Sequence, residues 1–223
     1  TLAVTASQRI VLAWDSAVFG YIYSGEPLPG YRDASPGEGA FDAVLPIGWK
    51  LADVRVLGAC CVVLLLAAGW SRGARGAAFV ILAIAPMAPL SRLLEQSVGR
   101  ESPYPEAGVG AFPSGHAMVT AAIVCTALAL ARSPTVRGLL AVGGAAFMIG
   151  VGVSIIADGG HWPSDVLGGW LLAVVWVVGA YALVLLPDGS RTPPRAPSAR
   201  RHRGASARPP APPDPAAPGA HAP

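Results

Sequence analysis

Apolar residues in this sequence are gathered into long runs without charged side chains, and the charged residues lie between the runs. The five runs are Val56–Ser71, Gly76–Ser91, Ala117–Ala131, Gly138–Ala157 and Val166–Pro187. A helix needs about 20 residues to cross the hydrocarbon core of a membrane, within a range of about 17–25. The last two runs reach this length, and the first three reach it if a polar turn at one end lines a wet cavity. The pattern predicts an all-α integral membrane bundle with about five visible transmembrane helices.

Prolines and glycines divide the chain further. The second run contains Pro86 and Pro89, so we expect a kink in that helix. Residues 10–24 are predicted to form an interfacial helix, and residues 25–46 hold several glycines and prolines and are predicted to be loop. The sequence begins with Thr1 and not with Met, so a sixth span upstream remains open.

Composition agrees with a membrane domain. Apolar residues make up 53% of the chain and charged residues 13%, whereas an average soluble domain has roughly a quarter charged residues. The mean hydropathy is +0.51. The three cysteines lie within apolar runs, so we interpret them as small buried residues and not as a disulfide framework.

The arginines predict the orientation of the bundle. Arg72 and Arg75 lie between the first and second runs, and Arg132 and Arg137 lie between the third and fourth. In an up-and-down bundle these links share one side with the segment after the fifth run, and the positive-inside rule makes that side cytoplasmic. The other side then receives residues 1–50 and the loops 92–112 and 158–165.

The C-terminal segment, residues 188–223, is rich in proline and alanine and is predicted to be a disordered basic tail. Its six arginines are Arg191, Arg195, Arg200, Arg201, Arg203 and Arg208. Nucleic acid is a conceivable partner for such a tail. Beside a membrane domain, anionic lipid headgroups are favoured, and we expect no nucleic-acid partner. The predicted organisation is residues 1–50 as a non-cytoplasmic segment, residues 51–187 as the transmembrane domain and residues 188–223 as a cytoplasmic tail.

Three polar segments on the predicted non-cytoplasmic side could carry chemistry. They are Pro113-Ser114-Gly115-His116 at the start of the third span, His161-Trp162-Pro163-Ser164-Asp165 at the start of the fifth, and the loop Glu95–Pro103 after the second. The chain between His116 and His161 holds two spans and a short basic turn, so both histidines return to the same depth.

The spacing within these segments favours a catalytic role. His161 and Asp165 are four residues apart, so on a helix the carboxylate could hold the imidazole in one tautomer. Ser114 and Gly115 lie at a helix start, where free backbone N–H groups favour an anion. Each segment alone also has a structural interpretation: Ser114 as a helix cap, and the His161/Asp165 pair as a structural hydrogen bond. A metal site is less favoured, because a typical zinc site uses closer ligand pairs or cysteine.

These segments resemble the type-2 phosphatidic acid phosphatase and vanadium haloperoxidase superfamily. Its signature has a lysine, six residues, then Arg-Pro; a Pro-Ser-Gly-His; and a Ser-Arg, five residues, a histidine, three residues and an aspartate. The second part is complete at Pro113–His116, and the third remains as Ser154, His161 and Asp165 at the family's intervals. The resemblance covers roughly residues 50–187 and implies the membrane lipid-phosphatase branch.

The resemblance also implies roles. His161 would attack phosphorus and form a phosphohistidine, Asp165 would orient His161, and His116 would protonate the leaving group and then activate water. Ser114, Gly115 and Ser154 would belong to the phosphate-binding set. The family needs no metal ion and no cofactor, and the implied substrate is a membrane lipid or isoprenoid phosphate.

The sequence departs from the family at all three cationic positions that would hold the phosphate. Glu95 stands where the family has lysine, Ser102 stands where it has the first arginine, and Ile155 stands where it has the second. Arg100 could substitute in the same pocket, with Arg92 as a weaker candidate. Arg100 could equally be a loop charge paired with Glu101 or Glu106.

Two functions therefore remain open. The first is a phosphatase of a lipid or polyprenyl mono- or diphosphate, supported by the complete histidine and aspartate set. The second is a catalytically altered homologue, supported by the three lost cations: a non-hydrolytic prenyl-diphosphate enzyme or a non-enzymatic lipid-phosphate binder. A vanadate haloperoxidase is disfavoured, because its pocket needs the same cations. An Arg100 side chain in the pocket would favour the first function, and Glu95 there would favour the second.

Overall fold

The computed structural model describes residues 13–18, 47–48, 50–100, 102–103, 111–157 and 159–186. All regular structure in these residues is helical, which confirms the predicted all-α class. The long helices are α1 (Val54–Ile84), α2 (Met87–Val98), α3 (Gly115–Leu130), α4 (Pro134–Ala157) and α5 (Pro163–Leu185). Residues 13–18 are also helical, within the predicted interfacial helix. The predictions for residues 25–46 and 188–223 fall on residues outside the described ranges.

Helix α1 turns back on itself at Gly73, which has φ 64° and ψ −155°. Only glycine adopts such a backbone without strain. Val54 and Leu57 near the start of α1 line the same cavity as Ile84 at its end, which a straight helix of this length would not allow. Residues 54–98 therefore cross the bundle twice, and the two halves correspond to the first two apolar runs.

The predicted kink in the second run is confirmed at Pro86. Helix α1 ends at Ile84, Ala85 and Pro86 form a turn, and α2 begins at Met87. Pro86 lacks a backbone N–H and cannot continue the helix ladder, whereas its carbonyl oxygen accepts a hydrogen bond from the Leu90 N–H.

Three helical stretches of the described residues are long and apolar enough to cross a membrane: Val54–Val98, Pro134–Ala157 and Pro163–Leu185. A shorter apolar helix is Gly115–Leu130. Large apolar side chains point away from the bundle, as Trp70, Val175 and Leu183 do. Exposed large apolar side chains along α1, α2, α4 and α5 are the pattern expected where lipid is the solvent. The predicted integral membrane bundle is thus confirmed.

The basic links meet at one end of the bundle. The Arg72 guanidinium donates to the Leu130 carbonyl at 3.2 Å, and Arg132 donates to the Ser71 carbonyl at 2.7 Å. These carbonyls lie at helix ends, where a cation complements the helix dipole. His116 and His161 lie at the opposite end. The up-and-down order of the spans is therefore as predicted, whereas which end is cytoplasmic stays a prediction.

Helix α3 occupies the centre and allows close packing because it presents small residues. Ala117, Ala121 and Ala122 are fully buried. Against them lies Gly169 of α5, where an added Cβ would be 2.9 Å from the Ser114 carbonyl oxygen and 3.1 Å from the Ala117 Cβ. Small residues that let two helix backbones approach are typical of membrane interfaces. This contact fixes the start of α3 against the first turns of α5.

We predict that Gly169→Ala lowers the thermal stability of the detergent-solubilised protein, by about 1–3 kcal/mol, because the new methyl group must push the α3 backbone away. The matched control is Gly179→Ala on the same helix, where an added Cβ meets no atom within 4 Å. The control should be neutral or stabilising by up to about 1 kcal/mol, because alanine favours helix. Equal melting temperatures for the two variants would contradict the proposed close contact.

Candidate active site

His116 and His161 face one cavity of about 950 Å³. His116 is the second residue of α3, and His161 lies two residues before α5. The predicted convergence of the two histidines is therefore observed. The cavity lining is otherwise mostly apolar, from the start of α1 and the α1–α2 turn: Val54, Leu57, Gly58, Cys61, Ile84, Ala85, Ala88, Pro89.

The orientation of His161 is set by a backbone carbonyl. Its Nδ1 lies 2.8 Å from the Ala111 carbonyl oxygen, and the nearer Asp165 oxygen is 3.9 Å away. Because a carbonyl only accepts, Nδ1 carries the proton and Nε2 keeps its lone pair. From the sequence, Asp165 was expected to hold the imidazole in one tautomer. The structure assigns it to Ala111, whose backbone oxygen has no sequence signature.

Burial is the main influence on the charge of His161. It lowers the pKa of the imidazole, the hydrogen bond to the Ala111 carbonyl raises it, and the nearby His116 lowers it further. The net effect is a pKa below the ordinary value of about 6.5. His161 is therefore held neutral at physiological pH, with Nε2 able to act as a nucleophile.

Asp165 is fully buried in the first turn of α5 and is held by two donors. Its Oδ2 accepts from the Trp162 N–H at 2.7 Å, which caps the helix start. Its Oδ1 accepts from Arg100 Nη1 at 2.6 Å. The carboxylate therefore bonds to the residue next to His161 in the chain and lies beyond hydrogen-bond distance of the imidazole itself.

Arg100 is bound to carboxylates. Nη1 also donates to the Ser164 hydroxyl at 2.6 Å, and Nη2 forms an ion pair with Asp15. Arg100 is not among the residues that line the cavity. The sequence offered a phosphate clamp or a loop charge paired with Glu101 or Glu106, which both lie outside the described residues. The structure shows a third arrangement, with the guanidinium shared between Asp15 and Asp165.

Asp15 is the residue that sequence reasoning missed. It belongs to the short helical segment 13–18 and is fully buried. One signal was available, because Asp15 is the single acidic residue among the mostly apolar residues 10–24. An acidic side chain beside membrane helices usually forms an ion pair or hydrogen bond with another polar group. The partner was not visible in the sequence, because Arg100 lies far along the chain.

Glu95 and Arg92 bring opposite charges to the cavity wall. The Glu95 Oε1 lies 3.9 Å from where a Cβ at Gly115 would stand, directly beside the Pro-Ser-Gly-His segment. Arg92 is one helical turn earlier on α2. The position where the family has a lysine thus presents a carboxylate to the site, and a nearby arginine partly offsets it.

The remaining predicted phosphate-binding residues divide into two groups. Gly115 lines the cavity. Ser114 is the buried N-cap of α3, accepts from the Ala117 N–H at 3.4 Å and does not line the cavity. Ser154 is buried in α4 and donates to the Gly150 carbonyl at 2.8 Å, also away from the cavity. The cap interpretation of Ser114 and a structural interpretation of Ser154 therefore fit these contacts.

Ser102 joins two of the loops that form the site. Its hydroxyl donates to the Gly160 carbonyl at 3.0 Å, and both residues line the cavity beside His161.

Where metal ligands are concerned, no three histidine, cysteine, aspartate or glutamate side chains converge in the described part of the chain.

Comparison with known proteins finds a matching family model and a similar solved structure. The model of the PAP2 superfamily matches residues 88–186, which hold both histidines and Asp165. No curated protein matches the chain significantly. Among solved structures, the chain resembles the first transmembrane PAP2 type phosphatidylglycerolphosphate phosphatase from Bacillus subtilis, with a TM-score of 0.60 and 18% identity. That match covers 78% of this chain and 86% of the other, and at this identity it supports the fold.

We predict that His161 titrates with a midpoint below about 6.5 and is protonated on Nδ1 in its neutral form. Nitrogen-15 NMR of histidine-labelled protein measures both properties, and a His161→Gln spectrum assigns the signal. A neutral form protonated on Nε2 would contradict the contact with Ala111, and a midpoint at or above the ordinary value would contradict burial as the main influence on the pKa.

Proposed function

The chain belongs to the PAP2 superfamily, and we propose that it is a membrane phosphatase that hydrolyses a lipid phosphate through a phosphohistidine on His161. The observation that carries the proposal is that a candidate nucleophile and a candidate general acid line the same cavity. His161 has its Nδ1 bonded to the Ala111 carbonyl and so keeps an Nε2 lone pair, and His116 lines the same wall.

The steps follow from these positions. The His161 Nε2 lone pair forms a bond to phosphorus as the ester P–O bond breaks, and protonated His116 gives its proton to the departing alkoxide. Neutral His116 then takes a proton from water, whose oxygen attacks phosphorus and releases His161 and phosphate. General acid help of this kind contributes typically 10²–10⁴-fold. Every step uses groups of this chain and needs no metal ion.

The shape of the cavity supports a lipid substrate. Its apolar part lies between the start of α1 and the α1–α2 turn, and its polar part lies at His116, His161, Glu95 and Arg92. A ligand with an acyl or isoprenyl chain and a phosphate end matches both parts. We propose lipid or polyprenyl mono- and diphosphates as the substrate class, with the site on the non-cytoplasmic face and the C-terminus in the cytoplasm.

A second function is favoured by one observation. Glu95 lies in the cavity and Arg100 is bound elsewhere, so the described residues provide one arginine, Arg92, to hold a dianionic phosphate there. Phosphoryl transfer depends largely on positioning and charge neutralisation. The alternative is an altered homologue that binds a lipid phosphate or acts on a prenyl diphosphate without hydrolysing it.

We predict phosphate release by the purified protein in detergent, with a metal chelator present, from at least one of phosphatidate, lysophosphatidate and the polyprenyl mono- and diphosphates. His161→Ala should lower the rate by at least roughly 10³-fold, because the nucleophile is lost. His116→Ala should lower it roughly 10²–10⁴-fold. If the folded protein releases no phosphate from any of these substrates, the phosphatase is wrong and the altered homologue remains.

We further predict that Glu95→Gln raises kcat/KM for a phosphomonoester roughly tenfold, because it removes a like charge beside a dianion at a partly exposed site. A monoanionic phosphodiester analogue is the matched control and should gain less in binding to the same variant. An unchanged or lower kcat/KM for the monoester would show that the Glu95 carboxylate has a positive role in the reaction.

A further inference from the structure

The buried Asp15 links the N-terminal segment to the residues that position the active site. Its Oδ1 accepts from the Ser164 N–H at 2.9 Å, and its Oδ2 accepts from the Ser164 hydroxyl at 2.7 Å. The same Oδ2 forms the ion pair with Arg100 Nη2. Asp15 therefore holds the start of α5 and the loop after α2 at the same time.

Arg100 carries the link onward. Its other terminal nitrogen, Nη1, donates to Asp165 Oδ1, and the second Asp165 oxygen accepts from the Trp162 N–H. Trp162 directly follows His161. A chain of contacts thus runs from Asp15 through Arg100 and Asp165 to the backbone beside the proposed nucleophile, and each carboxylate in it is fully buried.

We propose that Asp15 is a positioning residue of the active site, acting through Arg100 and Ser164 on Asp165 and on the loop that carries His161. The proposal rests on the proposed function where it concerns turnover. Asp15 is not among the residues that line the cavity, so it acts on geometry and does not touch the substrate.

The charge of Asp15, and not only its shape, is required by this arrangement. Arg100 has 15% of its side chain exposed and faces two carboxylates with one fork of donors. Without the negative charge on Asp15, Arg100 Nη2 loses its ionic partner, and Asp165 is left as the one carboxylate that attracts the guanidinium among the described residues. Arg100 must then shift, and Asp165 loses the donor geometry that fixes its carboxylate. A shift of about 1 Å at a catalytic group can cost roughly 10²-fold in rate.

The test compares Asp15→Asn, Arg100→Gln and the double variant in the phosphate-release assay. We expect Asp15→Asn to lower kcat roughly tenfold to a hundredfold with KM nearly unchanged. The loss of kcat in the double variant should be smaller than the product of the two single losses, because residues that act through one another are not additive. Additive losses, or an unchanged kcat in Asp15→Asn, would overturn the proposal.

Two further variants separate positioning from stability. Asp53→Asn is the matched control: Asp53 caps α1 by accepting from the Arg55 N–H at 2.7 Å, and asparagine caps equally well, so turnover should not change. Ser164→Ala removes one link of the chain and should lower kcat in the same direction, by less than Asp15→Asn. This variant also replaces Asp15→Asn as the test if the latter fails to fold. An unchanged kcat in Ser164→Ala would then overturn the proposal.

A second readout does not depend on turnover. Diethyl pyrocarbonate modifies neutral histidine nitrogen, and mass spectrometry follows its rate at His161, with His202 and His221 in the same chain as references. We expect a severalfold change in the His161 rate in Asp15→Asn and none in Asp53→Asn. If the unaltered protein releases no phosphate, the proposed function fails, while the labelling still decides the role of Asp15. Identical His161 labelling in the unaltered protein and Asp15→Asn would overturn it.

Discussion

One arginine, shared between two buried carboxylates, holds together the end of the bundle at which His116 and His161 lie. Asp15 and Asp165 are both fully buried, and an isolated buried carboxylate is too costly to persist as an ion. Arg100 meets both, and further donors are the Ser164 hydroxyl and the backbone N–H groups of Ser164 and Trp162. The N-terminal segment, the loop after α2 and the start of α5 are therefore fixed by one network.

This network leaves the orientation of His161 to a different group. Asp165 is occupied by Arg100 and Trp162, and the Ala111 carbonyl fixes the Nδ1 proton of His161 instead. A neutral carbonyl stabilises an imidazolium less than a carboxylate would, so burial remains the main influence and keeps the pKa of His161 below its ordinary value. The start of α3, capped by Ser114, lies directly against Gly169 of α5. The two histidines meet because these two helix starts are packed together.

Much of the fold could be predicted from the sequence, because a membrane span is recognised by the apolar composition of one continuous stretch of residues. The apolar runs, the break at Pro86 and the basic links with Arg72 and Arg132 all follow from residues adjacent in sequence. The depth of His116 and His161 follows from counting spans between them.

The partners within the site could not be predicted in the same way. The Ala111 contact is made by a backbone atom, which any residue carries. The contacts of Arg100 depend on Asp15, which is distant in sequence, and they hold the guanidinium outside the cavity lining. Counting charges near the Pro-Ser-Gly-His segment singled out Glu95, Arg92 and Arg100, but could not tell which of them line the cavity.

The balance of charge at the cavity limits how a phosphate can be held there. Arg100 is neutralised within its own network, so among the described residues the cavity wall has Arg92 against Glu95. With both histidines neutral, that wall carries no net positive charge. Under the proposed function, a phosphate there would be stabilised by the backbone N–H groups at the start of α3 and by a proton on His116. His116 would then supply both the positive charge that binds the phosphate and the proton that the leaving group takes. In such a site, phosphate binding and leaving-group protonation depend on the same protonated histidine, whereas a site with three fixed cations can separate them.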